Sequence, residues 1–185
     1  MGMKSVLISI QPKWCAKIAN GEKTVEVRKT RPKLESPFKV YIYCTKDEPL
    51  YRSGEKFWCG DDFGNGKVIG EFVCDTFVTD RTFGHDALFR AAACMSDVEA
   101  AAYCTNNPMY GWHISDLVIY DKPRELSEFY KPCVFGEDDV SCFLCDKSGY
   151  TPDMHIDCFN TVTKPPQSWC YVEEVHNVAE NRDSM

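Results

Sequence analysis

The stretch of sequence with the most chemical potential is residues 21–32, which read GEKTVEVRKTRP. Two valines alternate here with polar side chains, and side chains on a strand point to opposite faces with period two. The valines would enter a core, while Thr24, Glu26 and Arg28 would share a polar face with Lys23 at its mouth. A carboxylate beside fixed cations can hold a polar ligand through charge-assisted hydrogen bonds. On a solvated sheet face the same charges would form an ion lattice worth little energy.

The neighbouring elements would position these charges. An apolar strand is predicted over 5–10, followed by a helix over 12–20. The helix should end at Gly21, because glycine readily takes the left-handed cap conformation. Lys13 and Lys17 are four residues apart and therefore share a face of this helix. This geometry would place Lys13 near the same cleft as Lys23.

The pattern Gly21-x-Lys23-x-x-Glu26-x-Arg28 resembles the GxKxxExR motif of the ASCH domain family, a branch of the PUA-like β-barrels. The resemblance covers about the first 45 residues well, and the late strands are compatible with it. It implies an α+β fold, a PUA-like mixed β-barrel with flanking short helices and a cleft beside the motif. It also implies RNA or nucleotide recognition, since the family is associated with both and some of its members are enzymes.

Further elements can be predicted along the chain. The longest strand candidate covers 66–79, where Gly70 indicates the bulge or bend that a barrel needs in order to close. Ser96 and Glu99 have the spacing of a capping box, which predicts a helix over 96–104. Strands are predicted over 38–45, 110–115, 117–120 and 168–173, with a short helix after Pro123.

Length and composition favour one domain spanning 1–185 with a cysteine-rich insertion over 131–165 and a flexible tail over 177–185. No apolar run of 18 residues or more occurs, so no membrane span is expected. The beginning of the sequence lacks an apolar signal region, and we expect a cytoplasmic protein.

Charge is distributed unevenly. Residues 1–46 hold ten Lys and Arg against three Asp and Glu, although the whole chain has a net charge of −7. This overall sign disfavours a bulk polyanion binder, whereas a basic part can still contact a few phosphates. A short single strand or one nucleotide therefore suits the chain better than a long duplex.

The predicted RNA-binding set combines cations, one carboxylate and aromatic side chains that could stack on a base. Its members are Lys13, Lys23, Glu26, Arg28, Arg31, Tyr43, Trp112 and Trp169.

Five metal-binding side chains crowd into the last third of the chain. Cys142 and Cys145 form a C-x-x-C pair that can reach one tetrahedral Zn²⁺, with Cys158 and either Cys133 or His155 completing four ligands. The surrounding segment is polar, and a metal would order it where apolar burial could not. We expect a structural zinc site, with free thiols or a redox pair as the alternatives.

Three functions fit these features. The first is an RNA- or nucleotide-binding module for a single-stranded or flipped-out base, including a modified one. The second is a hydrolase acting on RNA or on nucleosides. In the acylcytidine amidohydrolase branch that the chain resembles, a lysine stands where Lys23 stands, but a threonine nucleophile occupies the position of Glu26. Lys23 and Glu26 would then be catalytic, with Glu26 as a general base on water. The third is a protein-interaction adaptor that docks through the zinc loop.

Overall fold

Strands dominate the structure, a computed structural model that describes residues 4–46, 65–80, 86–103, 109–132 and 160–175. The strands in these ranges are β1 (Lys4–Ile10), β2 (Val25–Arg28), β3 (Phe38–Cys44), β4 (Val68–Cys74), β5 (Phe77–Asp80), β6 (Met109–His113), β7 (Ser115–Arg124) and β8 (Trp169–Glu173). The helices are α1 (Pro12–Ala19), α2 (Ala87–Ala92), α3 (Asp97–Tyr103) and a 3₁₀ helix (Leu126–Glu128). The predicted α+β class is confirmed.

The strands form a five-stranded sheet, in the order β7-β4-β3-β1-β8, and a three-stranded sheet, in the order β2-β6-β5. β1 runs parallel to β3, with Val6 opposite Val40, and the other pairings are antiparallel. β2 pairs with β6 so that Glu26 lies opposite Trp112. The motif strand therefore lies at the edge of the three-stranded sheet, beside β6.

Two corners carry the chain between the sheets. The strand predicted over 66–79 is wrong as a single element, because β4 pairs with β3 while β5 pairs with β6 across the break at residues 75–76. A second corner separates β6 from β7, where Asp116 adopts a φ of 46°. Each corner moves the chain from one sheet to the other, and periodicity alone does not reveal where an apolar run changes its partner.

The largest buried cluster lies between the two sheets and α1. Its side chains come mainly from β1, β3 and β4, with Trp112 from β6, and they include Val6, Ile8, Ile10, Cys15, Ile18, Val40, Ile42, Phe72 and Trp112. The opposite face of β2 packs elsewhere: Val25 and Val27 lie against Phe89 and Ala93 of the α2 region. Both faces of β2 are therefore buried, and the ion lattice on a solvated sheet face is excluded.

Local signals explain the helices. Gly21 follows α1 with a φ of 74°, the left-handed conformation predicted for it. Ser96 and Glu99 form the predicted capping box before α3. α2 was not predicted, although the Asp86 carboxylate accepts hydrogen bonds from its first backbone N–H groups. None of the helices in the described residues is long and apolar enough to cross a membrane.

Gly70 lies at the predicted irregularity, where the register between β4 and β7 shifts. A Cβ at this position would lie 2.4 Å from the backbone oxygen of Val118, an approach that only glycine permits. The closeness of two backbones here is what the bend of β4 requires.

We expect Gly70→Ala to lower the free energy of unfolding by about 2 kcal/mol or more, because the backbone of β7 must move to admit the methyl group. Gly21→Ala is the control: it has positive φ but open space around it, so it should cost about 1 kcal/mol. Urea unfolding of both variants makes the comparison. A Gly70→Ala variant as stable as the wild type would contradict the close approach.

Candidate functional site

A cleft of about 1110 Å³ opens where the ends of β1 and β2 meet α1, α3 and the segment before β8. Its floor carries the predicted motif residues, and its walls carry aromatic and polar side chains. The lining side chains on which the site depends are Ser9, Trp14, Lys23, Glu26, Arg28, Tyr43, Lys46, Tyr103 and Gln167.

Glu26 lies at the centre of the floor, held by two cations. Arg28 Nη1 is 2.9 Å from Glu26 Oε1, and Lys23 Nζ is 3.5 Å from Glu26 Oε2. Lys23 and Glu26 are each only 3% exposed. Burial removes the water that would weaken these attractions, but it also makes each charge costly to leave unpaired. Removing one partner of such a pair costs about 3–5 kcal/mol.

Lys23 is fixed by the turn that follows α1. Its backbone N–H donates to the Lys17 carbonyl, and its Nζ donates to the Ala93 carbonyl at 2.7 Å. Burial lowers the pKa of the Lys23 amine, and the Glu26 carboxylate opposes that shift. The amine therefore has its charge satisfied by protein groups rather than by solvent.

Arg28 links the two sheets. One terminal nitrogen binds Glu26, while Nη2 donates to the Ser9 carbonyl of β1 at 2.5 Å. Nε is buried and has no hydrogen-bond partner in the described part of the chain. The guanidinium thus spans from the motif strand to the end of β1 and keeps one donor unused.

This arrangement presents a fixed carboxylate inside a partly aromatic cleft. A carboxylate has about four lone-pair directions, and the two cations engage only some of them. Glu26 can therefore accept a further hydrogen bond from a ligand amino group. The remaining walls include the rings of Trp14, Tyr43 and Tyr103.

The structure is similar to solved structures of ASCH proteins. The ASCH protein of Zymomonas mobilis aligns over 92% of this chain and 88% of its own, at 17% identity and a TM-score of 0.55. Two variants of that protein also have TM-scores of 0.55. A tyrosine-to-phenylalanine variant is 18% identical and aligns over 93% of this chain and 92% of its own. A serine-to-alanine variant is 16% identical and aligns over 92% of this chain and 89% of its own.

The chain has the ASCH fold. A scan against models of protein families finds no match, and a search of curated protein sequences finds none either. The similarity therefore rests on three-dimensional structure, and it confirms the fold that the motif residues predicted.

Four of the predicted site residues line the cleft of this ASCH fold: Lys23, Glu26, Arg28 and Tyr43. Tyr43 is 4% exposed and also packs in a core cluster. Lys13 lies outside the lining: its Nζ sits 4.5 Å from the Trp14 ring centroid and 3.9 Å from Glu99 Oε1. Helical spacing predicted that Lys13 lies near the cleft. Its amine instead pairs with Glu99 of α3 at the rim.

The two predicted tryptophans do not line the cleft. Trp112 is fully buried in the core between Phe38, Phe77 and Trp169, so it has no face to offer a ligand. Trp169 packs against Trp112 and donates from Nε1 to Thr30 Oγ1 at 3.0 Å. A strand does occur where one was predicted over 110–115, but the Trp112 side of β6 meets the core of the first sheet.

Arg31 also lies away from the cleft, at a second cavity beside Phe77. Several lining residues had not been assigned to the site from the sequence. Ser9 carried a usable signal, because it is a polar interruption of an apolar strand. Tyr103 carried none, since its place depends on how α3 packs over β2.

The predicted zinc ligands Cys133, Cys142, Cys145 and Cys158, and the alternative His155, lie outside the described residues. The zinc site therefore stays a prediction, as do the insertion over 131–165 and the tail over 177–185. Within the described ranges, no three metal-binding side chains group together.

Outside the predicted zinc ligands, Cys15, Cys44 and Cys74 are buried. Burial raises the pKa of the Cys74 thiol to about 12, which keeps it protonated and inert.

The lowered pKa of Lys23 gives a pH-dependent prediction. Between that pKa and its ordinary 10.5, unfolded chains bind more protons at Lys23 than folded chains, so stability from this group rises with pH. We expect the wild type to gain stability relative to Lys23→Met as pH approaches 10.5. Urea unfolding at several pH values measures this difference.

Lys17→Met is the control, since Lys17 is exposed and Glu22 raises its pKa. The difference in free energy of unfolding between Lys17→Met and the wild type should not change with pH below 10.5. If the free energy of unfolding of Lys23→Met relative to the wild type is also independent of pH, a lowered pKa at Lys23 is contradicted.

Proposed function

We propose that this protein is an RNA- or nucleotide-binding module that takes a single-stranded or flipped-out base into the cleft. The observation that carries the proposal is the buried Glu26 carboxylate, fixed by Arg28 and Lys23 in a cleft of about 1110 Å³. Ligand pockets commonly have about 300–1,000 Å³. The cleft therefore has room for a whole nucleotide.

Glu26 is the base reader in this proposal. A carboxylate only accepts hydrogen bonds, so it favours a base edge that carries an exocyclic amino group. Arg28 and Lys23 hold the carboxylate in a fixed orientation before the ligand arrives. A preorganised group loses less freedom on binding, and this strengthens discrimination.

The aromatic walls supply the remaining contact. Trp14 and Tyr103 line the cleft and are partly exposed, and single-stranded RNA is commonly held by bases stacked on such rings. The exposed Lys46 at the rim is suited to a phosphate, because the Lys23 amine and both terminal nitrogens of Arg28 already bind protein groups. The GxKxxExR pattern of this chain resembles the motif of the ASCH family, which is associated with RNA. This resemblance supports the same function.

The hydrolase alternative rests on Lys23, whose pKa is lowered by burial as in many catalytic lysines. Its difficulty is Glu26, which is engaged by two cations and has no hydroxyl nucleophile to offer. We therefore rank hydrolysis of an acylated nucleoside second.

Equilibrium binding of short cytidine-rich and uridine-rich RNAs tests the proposal. We expect the wild type to prefer cytidine by roughly tenfold, since a good base-edge contact is worth about 1–3 kcal/mol. Glu26→Gln should level this preference, because an amide can donate to uracil as well as accept from cytosine. Fluorescence anisotropy at low and moderate salt measures the affinities.

Glu22→Gln is the matched control, because Glu22 is exposed, pairs with Lys17 and does not line the cleft. It should keep the preference of the wild type. Equal affinity of the wild type for both RNAs would contradict base reading by Glu26. Turnover of acylcytidine that is lost in Lys23→Met would instead place the hydrolase first.

A further inference from the structure

Three exposed cations alternate along the segment that leaves β2. Lys29, Arg31 and Lys33 are all exposed, and residues two apart on an extended chain lie at most about 7 Å apart. None of the three forms an ion pair with a carboxylate in the described ranges. We call these three side chains the basic ridge.

Several other surface cations of this acidic protein are paired with carboxylates. Lys17 pairs with Glu22 at 3.2 Å, Lys67 with Glu125 at 2.8 Å, and Arg124 with Glu128 at 3.0 Å. The net charge of −7 means that carboxylates are abundant. The basic ridge differs from these pairs because it groups three cations, none of them in an ion pair in the described ranges, along one short stretch of chain.

Aromatic rings lie beneath the basic ridge in place of carboxylates. Lys29 Nζ is 5.1 Å from the Tyr103 ring centroid, and the Arg31 guanidinium is 5.4 Å from Phe77 and 5.9 Å from Tyr110. A guanidinium that stacks on rings does so through its flat face, and its N–H donors remain in its plane for an anion. Cations interleaved with aromatic rings are the usual construction of a surface for single-stranded nucleic acid.

The basic ridge is continuous with the cleft. Tyr103, under Lys29, lines the cleft, and so does Arg28, the residue before Lys29. At the other end, Arg31 and Lys33 line a second cavity of about 650 Å³ together with Phe77. The cations thus lead from one cavity to the next along a single stretch of chain.

We propose that the basic ridge binds the sugar–phosphate backbone of a single-stranded RNA whose base occupies the cleft, and that the second cavity receives a neighbouring nucleotide. This inference rests on the proposed function of the cleft and extends it from one nucleotide to several. The occupant is a single strand because its bases are free to stack on the rings, whereas those of a duplex are paired.

The test compares cytidine 5′-monophosphate with a cytidine-rich RNA of about eight nucleotides, a length within the site sizes of single-strand binders. The variant Lys29→Gln/Arg31→Gln/Lys33→Gln should bind the longer RNA about 10- to 100-fold more weakly at low salt. Each phosphate contact contributes about −0.7 to the slope of log K against log salt, so the slope should become shallower by about 2. Affinity for the mononucleotide should not change.

The control variant Lys17→Gln/Lys122→Gln/Lys131→Gln removes the same charge from residues that line neither cavity. It should keep the affinity and the salt slope of the wild type, and thermal melting should show that both variants fold. Equal losses in the two variants would overturn the proposal, as would equal affinity of the wild type for the RNA and its duplex. If only the mononucleotide fails to bind the wild type, the cleft function fails while the basic ridge stands.

Discussion

The buried carboxylate of Glu26 is the constraint on which the site depends. A charge at 3% exposure is tolerated only when it is paired, and Arg28 and Lys23 supply the pairing. Lys23 is buried too and the Arg28 side chain is only 15% exposed, so each needs a further acceptor. Lys23 donates a hydrogen bond to the Ala93 carbonyl after α2, and Arg28 donates one to the Ser9 carbonyl of β1. Satisfying one carboxylate therefore ties together both sheets and the α2 region.

This requirement also defines what the cleft can recognise. The cations are committed to protein acceptors, which makes the floor of the cleft a carboxylate with its geometry already fixed rather than a loose basic patch. In the function we propose, phosphate contacts fall instead to exposed cations on the rim and on the basic ridge. The separation of a base reader inside from backbone contacts outside matches the division of labour in proteins that read single-stranded RNA. It also explains how a chain with a net charge of −7 can offer a local site for a polyanion.

Local patterns predicted much of this arrangement. The alternation of β2, the glycine after α1 and the capping box of α3 each follow from neighbouring residues, and the motif located the charges of the cleft. Features that depend on long-range pairing were not predictable in this way. The break between β4 and β5, the burial of Trp112 and the place of Tyr103 all depend on which strand or helix packs opposite. Trp112 shows the difference well: it lies in a strand, as predicted, yet its ring packs against Phe38 of another sheet.

A crystal structure of the protein with a short cytidine-containing RNA would show whether Glu26 reads the base. We expect one base in the cleft, with its exocyclic amino group within hydrogen-bond distance of a Glu26 oxygen and with Arg28 and Lys23 still holding the carboxylate. RNA bound elsewhere with the cleft unoccupied, or a base whose amino group faces away from Glu26, would contradict it.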